Sequence, residues 1–458
     1  MNQSYWTNRF FAFANWFNRE KITLLIGSIL LLLGAIFSWY RLPPETLEAF
    51  GINLFWANAV RVPLALCAIA GFTYTFVFHI RQAPRLVFWG ALIPILLFPY
   101  FITTWSPAVS FIAAEYYNRG EKVSSHVDKN FSEVQAQWKQ NIVLDNPDAP
   151  ASTFGMKIED SRFFQLPSWD KVILEGFGYK NSFFTGIGKG WGFSLIGLLI
   201  CLMGLYLALE QQGLNTFMKE MKILVPVSGL LFSIILGSHI CFNIINYQLN
   251  VQFAKGEYSQ VVNTSQVLTR LYPPFQGDEE FLERLARAEL YTGTAEPGLL
   301  NFIQGLENYK DSNFVEAENY FEKSLHSQPN RFLVRGYLVA AILNRGINYF
   351  NEPNTRNAGT AADIFEKAFS IFPGHVEALY DLMLARVVNG EFHKSAEVAK
   401  QVIDGQKYFQ EPGIGLMGQA YVHLTWAEYN NGDINKTWER YRQSVDTKAW
   451  NDSGVEKK

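Results

Sequence analysis

The distribution of apolar residues along the chain restricts its fold more than any other feature. Long apolar runs such as ITLLIGSILLLLGAIFSW occur before residue 246, whereas the later sequence mixes apolar and charged residues as water-exposed helices do. A helix crosses the hydrocarbon core of a bilayer with about 20 apolar residues. We therefore expect a membrane-spanning first part and a water-exposed second part, with the main boundary near residue 246.

Five apolar segments are long enough, or nearly so, to span a membrane: 22–40, 57–78, 86–102, 191–209 and 223–245. They define transmembrane helices 1–3 within residues 22–105 and helices 4–5 within residues 191–245. The third segment is short and contains Pro94 and Pro99, so it either crosses with a kink or re-enters. The first is too long for a signal peptide, and no small-residue cleavage site follows it.

Residues 1–21 carry an aromatic stripe. Trp6, Phe10, Phe13 and Phe17 recur at helical spacing, with polar residues between them. This pattern predicts an amphipathic helix lying in the membrane interface. An aromatic belt at the foot of the first span is the alternative.

Lysine and arginine in short loops indicate the orientation of the spans. The basic loops contain Arg9, Arg19, Lys21, Arg81, Arg85, Lys219 and Lys222. Because basic loops stay in the cytoplasm, the N-terminus is predicted to be cytoplasmic. Five crossings then place residues 106–190 and the C-terminal part outside a multi-pass cytoplasmic (inner) membrane, on the periplasmic side. This orientation depends on the third segment crossing fully.

The outward segment 106–190 is predicted to form a small cap on the membrane surface. It ends in SFFTGIGKGWGF, whose glycines and aromatic residues suit a chain re-entering the interface. GIGKG at residues 186–190 is a weak match to a phosphate-binding loop, because no serine or threonine follows the lysine.

A helical pattern recurs in the second part. A small residue is followed by a large apolar residue four positions on, a small residue seven on and proline twelve on. The two best copies consist of Ala317, Phe321, Ser324 and Pro329, and of Ala361, Phe365, Ala368 and Pro373. Gly305 fits a position where the preceding helix must pack closely, and Gly390 and Gly432 fit turns between helices.

This pattern resembles the tetratricopeptide repeat (TPR) family over residues 246–448. The expected fold class is all-α, with an N-terminal multi-span transmembrane helical domain followed by a TPR-like α-solenoid. An extra helix fits around residues 275–297, and residues 449–458 are expected to form a flexible tail.

The resemblance implies a groove, lined by the first helix of each repeat, that holds a peptide or a partner helix. Five aromatic residues lie on or near that side by register: Tyr309, Tyr337, Tyr380, Trp426 and Tyr429. They are candidate anchors for a protein partner. Packing between helices is the alternative role for them.

The sequence contains no recognised catalytic, cofactor-binding or metal-binding pattern. Its cysteines, Cys67, Cys201 and Cys241, all fall within apolar runs. We therefore predict no cofactor, no metal and no enzymatic activity. A net charge of −3 without a basic excess argues against nucleic acid as a partner. Four histidines, His326, His375, His393 and His423, are expected on solvated helix surfaces.

Three functions remain open at this point. The first is a membrane scaffold or adaptor that binds protein partners and helps to assemble a cell-envelope complex on the extracytoplasmic side. The second is a membrane enzyme or transport component of envelope polymer synthesis or export, with a regulatory TPR domain. Its candidate residues are Arg119, His126, Asp160 and Arg162 in the outward segment. The third is a membrane-anchored adaptor whose repeats face the cytoplasm.

Overall fold

The structure is a computed structural model of the whole chain. It describes residues 19–39, 42, 44–51, 61–76, 83–100, 108, 111–112, 188–210, 214–329, 331–352, 357–405, 424, 428 and 432–446. The segments 1–18 and 449–458, and all but a few residues of 106–190, lie outside these residues.

The described residues form helices and no strands, which confirms the all-α class. The first six helices are α1 Arg19–Ile36, α2 Pro44–Ala49, α3 Arg61–Phe76, α4 Ala83–Tyr100, α5 Lys189–Glu210 and α6 Leu214–Ala254. The next five are α7 Tyr258–Leu271, α8 Glu279–Thr292, α9 Pro297–Lys310, α10 Phe314–Ser327 and α11 Phe332–Asn351. The last four are α12 Ala358–Ile371, α13 Val376–Val388, α14 Phe392–Gly405 and α15 Ile434–Asp446. A short 3₁₀ helix, Pro273–Gly277, precedes α8.

The chain divides into two compact units, and each is assembled from separated segments. Unit 1 consists of residues 1–41, 53–106 and 186–248. Unit 2 consists of residues 42–52, 107–185 and 249–458. The sequence placed the main boundary near residue 246, but it did not predict that residues 42–52 belong with the C-terminal helices.

In unit 1, α1 and α5 pack against each other through glycines spaced seven residues apart. These are Gly27 and Gly34 on α1, and Gly190, Gly197 and Gly204 on α5. The two helices are antiparallel, since Gly34 lies near Gly190 while Gly204 lies near Leu24. The glycines permit backbone-to-backbone contact of the kind that membrane helices use for association.

Close packing against the end of α1 accounts for the glycines Gly188 and Gly190 of the GIGKG segment. The Gly188 amide donates to the carbonyl oxygen of Trp39 at 2.7 Å, and the Gly190 amide donates to that of Ser38 at 3.0 Å. A Cβ atom at residue 188 would lie 2.2 Å from the Ser38 oxygen. The glycines therefore let the start of α5 approach the end of α1.

Among the described residues, α5 is the helix that is both long and apolar enough to cross a membrane. The apolar helix α3 and the apolar stretch Ala83–Leu96 of α4 are shorter. α1 contains Arg19, Glu20 and Lys21 in its first turn, and α6 continues past the predicted span 223–245 to Ala254. The sequence had assigned spans of similar apolar character to all five helices.

In unit 2, the helices α9 to α14 each pack on the next, and we call these six helices the array. They form the successive pairs α9–α10, α11–α12 and α13–α14. Helix α8 lies in the region where the sequence left room for an extra helix.

Three described turns that precede helices of unit 2 share one backbone conformation. Gly390 and Gly432 adopt φ values of +78° and +77°, two residues before the start of α14 and α15. Ser312 holds the same place before α10 with φ +61°. The two glycines meet this left-handed conformation without steric cost, as the sequence pattern predicted for turns.

Candidate functional site: the surface of the paired helices

The same type of core contact, between a glycine and a phenylalanine, occurs within the pair α9–α10 and within the pair α11–α12. A Cβ atom at Gly305 of α9 would lie 2.5 Å from the ring of Phe321, which is completely buried on α10. A Cβ atom at Gly346 of α11 would lie 2.5 Å from the ring of Phe365, equally buried on α12. Each aromatic ring therefore occupies the space that glycine leaves open, and two successive pairs repeat the same packing unit.

Sequence reasoning identified three of these four residues and missed Gly346. α11 has 20 residues where α9 has 14, and a longer connection follows α11. Counting back from Phe365 with the spacing of the first pair therefore does not reach Gly346. A search for a small residue in a wider window before the Ala361 motif would have found it.

The other predicted packing positions lie at different depths. Ala317, Ser324, Ala361 and Ala368 are completely buried. Ser324 Oγ donates to the carbonyl oxygen of Gly298 at 2.6 Å, which joins α10 to α9. Pro329 is exposed and Pro373 is half-buried, and both follow the end of a helix. They fit helix termination better than core packing.

The predicted aromatic anchors do not share one environment. Tyr337 and Tyr380 are 5% and 3% exposed, whereas Tyr309 is half-buried. Trp426 and Tyr429 lie outside the described residues. Packing between helices, the alternative role, describes the surroundings of Tyr337 and Tyr380. Among the three described candidates, Tyr309 is the one that solvent reaches.

Tyr337 lies at the centre of a polar and aromatic cluster. Its ring stacks on Phe321 with centroids 5.7 Å apart, and its hydroxyl donates to Glu279 Oε2 of α8 at 2.5 Å. Burial, together with this hydrogen bond, raises the pKa of Tyr337. The hydroxyl of Tyr309 accepts from Asn344 Nδ2 at 3.2 Å. The hydrogen bonds of Tyr337 and Tyr309 thus join helices α8, α9 and α11, which fits packing between helices better than the lining of a groove.

A buried carboxylate connects three successive helices. Glu318 of α10 is 7% exposed and lies 2.9 Å from Arg345 Nε of α11 and 2.7 Å from Lys367 Nζ of α12. Lys367 also reaches Glu322 at 2.7 Å. Burial lowers the pKa of Lys367, but the hydrogen bonds to both carboxylates outweigh that effect and raise it. The array of helices is therefore cross-linked by charge as well as by apolar packing.

Replacing Glu318 with glutamine should destabilise this region by about 1–3 kcal/mol, because the change removes a negative charge that balances two cations. Glu322→Gln is the matched control. Glu322 is 46% exposed, and exposed pairs contribute about 0–1 kcal/mol. Hydrogen exchange of the α10–α12 amides measures the difference. Equal effects for the two variants would contradict the structural role of Glu318.

His375 departs from the expectation of a solvated surface. It is 3% exposed, its Nδ1 accepts from the Ala378 amide at 3.2 Å, and its ring meets Phe372 edge-on at 5.0 Å. The histidine therefore caps the start of α13. His326 is exposed, as expected.

A distant segment of the chain lies on this array. We call residues 44–51, which contain α2, the docked segment; Thr46, Leu47 and Phe50 are between 0% and 4% exposed, while Glu45 and Glu48 face solvent. Thr46 Oγ1 donates to the carbonyl oxygen of Pro373. This contact joins residues 327 positions apart in the chain.

The receiving surface on the array, here called the docking face, consists of Arg335, Phe372 and Pro373. The Phe50 ring meets Phe372 edge-on with centroids 4.7 Å apart. The Arg335 guanidinium lies 5.2 Å from the centre of the same ring, a cation–π contact, and donates to the Ile371 carbonyl at 3.0 Å.

Another separated segment of unit 2 reaches the same place. Phe111, which is 1% exposed, lies 5.3 Å from the ring of Phe332 and 6.1 Å from that of Phe50. Phe111 therefore lies beside both Phe50 and Phe332, and residues from three separated parts of unit 2 meet next to the docking face.

Within the part of the chain that the structure describes, no three His, Cys, Asp or Glu residues are placed to hold a metal ion. Arg119, His126, Asp160 and Arg162, the candidates for the enzymatic alternative, lie outside that part. No protein-family model matches the chain, and no curated protein matches it significantly.

Proposed function

We propose that the chain is an integral membrane scaffold, in which several apolar spans anchor a TPR-like α-solenoid that binds protein partners on the extracytoplasmic side. The observation that carries this proposal is the repeated glycine–phenylalanine packing unit of α9–α10 and α11–α12. A helix pair of this kind cannot bury its apolar side alone, so neighbouring pairs stack. Stacked pairs present an extended surface, which such proteins use to hold other proteins or peptides and so to organise an envelope complex.

Membrane anchoring is supported by the composition of the outer faces of α1, α3 and α5. Large apolar side chains there are exposed, which would be unfavourable in water for a patch of this extent. They are Ile22, Ile26, Ile29, Ile36, Val62, Leu66, Ile69, Ile196, Leu199 and Met203. The glycine contact between α1 and α5 is also the type of packing that associates helices in lipid.

The three chain segments that make up unit 2 support this orientation of the spans. Residues 42–52, 107–185 and 249–458 are separated by two apolar segments each time, namely α3 and α4, then α5 and α6. Two crossings return a chain to the side it left, so full crossing by all of these helices places the three segments together. The first span then leaves the N-terminus on the opposite, basic and cytoplasmic side.

Reporter fusions test this orientation. We expect a reporter that is active only outside the cytoplasm to work after residue 446 and to fail before residue 19. A reporter that is active only in the cytoplasm should behave in the opposite way. Activity of the cytoplasmic reporter after residue 446 would favour the third hypothesis, an adaptor with cytoplasmic repeats.

Site-specific photocrosslinking in intact membranes tests partner binding. A crosslinking residue at Tyr291 or Tyr349, which are 63% and 45% exposed in unit 2, is expected to capture discrete protein partners. Leu199, 58% exposed on α5, is the control position and is expected to capture lipid. Absence of protein adducts at both Tyr291 and Tyr349 would contradict the scaffold function.

A further inference from the structure

We propose that the docked segment is an autoinhibitory contact, in which residues 44–51 occupy an interaction surface of the array as an intramolecular ligand. The inference rests on the proposed function only in assuming that the array binds proteins. It adds the position of one binding surface, the pattern of side chains that this surface accepts, and a segment that a competing partner must displace.

The docked segment owes its helical form to the array. α2 has six residues, whereas isolated helices shorter than about 12–15 residues are marginal in water. Its apolar side chains, Leu47 and Phe50, face inward together with Thr46, while Glu45 and Glu48 remain in solvent. A short amphipathic helix of this kind is ordered by the surface that it contacts, as peptide ligands in helix-binding grooves are.

The docking face contacts two residues of this helical turn, Thr46 and Phe50. The backbone oxygen of Pro373 accepts the Thr46 hydroxyl, Phe372 receives the edge of the Phe50 ring, and the Arg335 cation lies over that ring. The Arg335 side chain is itself held by the Ile371 carbonyl. The surface therefore recognises the pattern Thr-x-x-x-Phe on one face of a helix.

The contacts between the docked segment and the docking face are of kinds that a separate peptide can also make. They include a hydrogen bond to a backbone oxygen, an aromatic pair and a cation–π contact. Aromatic pairs and cation–π contacts contribute modestly beyond burial of area. A partner helix that carries the same pattern is consequently able to replace the segment and to use the same contacts.

The test compares hydrogen exchange in the full chain, purified in detergent, for Phe50→Ala and Glu48→Ala. Both residues lie in the docked segment, but Glu48 is exposed and serves as the control. Phe50→Ala is expected to raise exchange about tenfold or more at the start of α11 and in the α12–α13 connection, because truncating a buried phenylalanine removes its packing. Thr46→Val, a milder variant, is expected to give a rise of about threefold.

A peptide of sequence LPPETLEAFGI, added in excess, is then expected to restore slow exchange to the Phe50→Ala chain. The same peptide with alanine in place of its phenylalanine is expected to leave exchange fast. Wild-type chain should bind the unmodified peptide at least tenfold more weakly than the Phe50→Ala chain does.

Three results would overturn the proposal. They are equal exchange in the Phe50→Ala and Glu48→Ala chains, fast exchange that the peptide does not reverse, and equal peptide binding to wild type and variant. The second result would identify the segment as part of the core rather than as a ligand. None of these measurements involves a partner protein or the side of the membrane, so their failure is distinguishable from failure of the scaffold proposal.

Discussion

Replacing Gly197 with leucine is expected to separate α1 from α5. A Cβ atom at this position would lie 3.0 Å from the Leu31 backbone nitrogen and 3.1 Å from the Gly27 oxygen. Backbone atoms cannot rotate away as a side chain does, so the helices must move apart along their whole glycine contact. Overpacking commonly costs about 1–3 kcal/mol and more where the neighbours cannot relax. The thermal unfolding temperature of the purified chain in detergent should fall clearly.

Gly192→Leu is the matched control, because the same helix carries it and nothing lies within 4 Å of a Cβ placed there. We expect this variant to unfold at nearly the wild-type temperature. If both variants lost stability equally, the helix propensity of the new residue or its effect on insertion would explain the loss, and the close α1–α5 contact would not.

Replacing Phe321 with alanine is expected to destabilise the array by about 3–5 kcal/mol, as for other large aromatic residues removed from a core. The ring is completely buried, covers Gly305, and contacts Phe302 and Tyr337 at 6.1 and 5.7 Å between centroids. Gly305, which lies opposite the ring, has no side chain that could fill the space left by the truncation. Denaturant-dependent hydrogen exchange of the α9–α11 amides measures the change.

Val315→Ala provides the comparison on the same helix. Val315 is 58% exposed, so its truncation is expected to change stability by no more than about 0.5 kcal/mol. A small effect of Phe321→Ala, similar to that of Val315→Ala, would show that this repeat unit does not depend on the ring for its packing.

The helical class and much of the array core could be predicted because both follow from local periodicity. The small and large residues of the two best motif copies, such as Ala317 and Phe321, are buried where a period of 3.6 residues places them. Gly390 and Gly432 were likewise identifiable, since a left-handed turn favours glycine in any context.

The candidate site was harder to predict, because its residues meet through tertiary contacts. Register placed Tyr337 and Tyr380 beside a groove, yet the rings are buried, one of them under a hydrogen bond to Glu279 from the extra helix α8. His375 is a polar residue of the kind expected at the surface, but it is buried and caps the start of α13. The docked segment is remote from the array in sequence, and no periodic pattern links Phe50 to Phe372.

The contact between Thr46 and Pro373 also bears on the order in which the protein matures. The docked segment is synthesised hundreds of residues before its docking face, and domains generally fold during synthesis from the N-terminal side. With the proposed orientation, the segment meets α11–α13 only after all intervening helices have been inserted. A chain in which one of the helices α3–α6 fails to cross would carry the segment and the face on opposite sides of the bilayer. In such a chain Phe50 could not reach Phe372, so docking of the segment requires that all four of these helices cross.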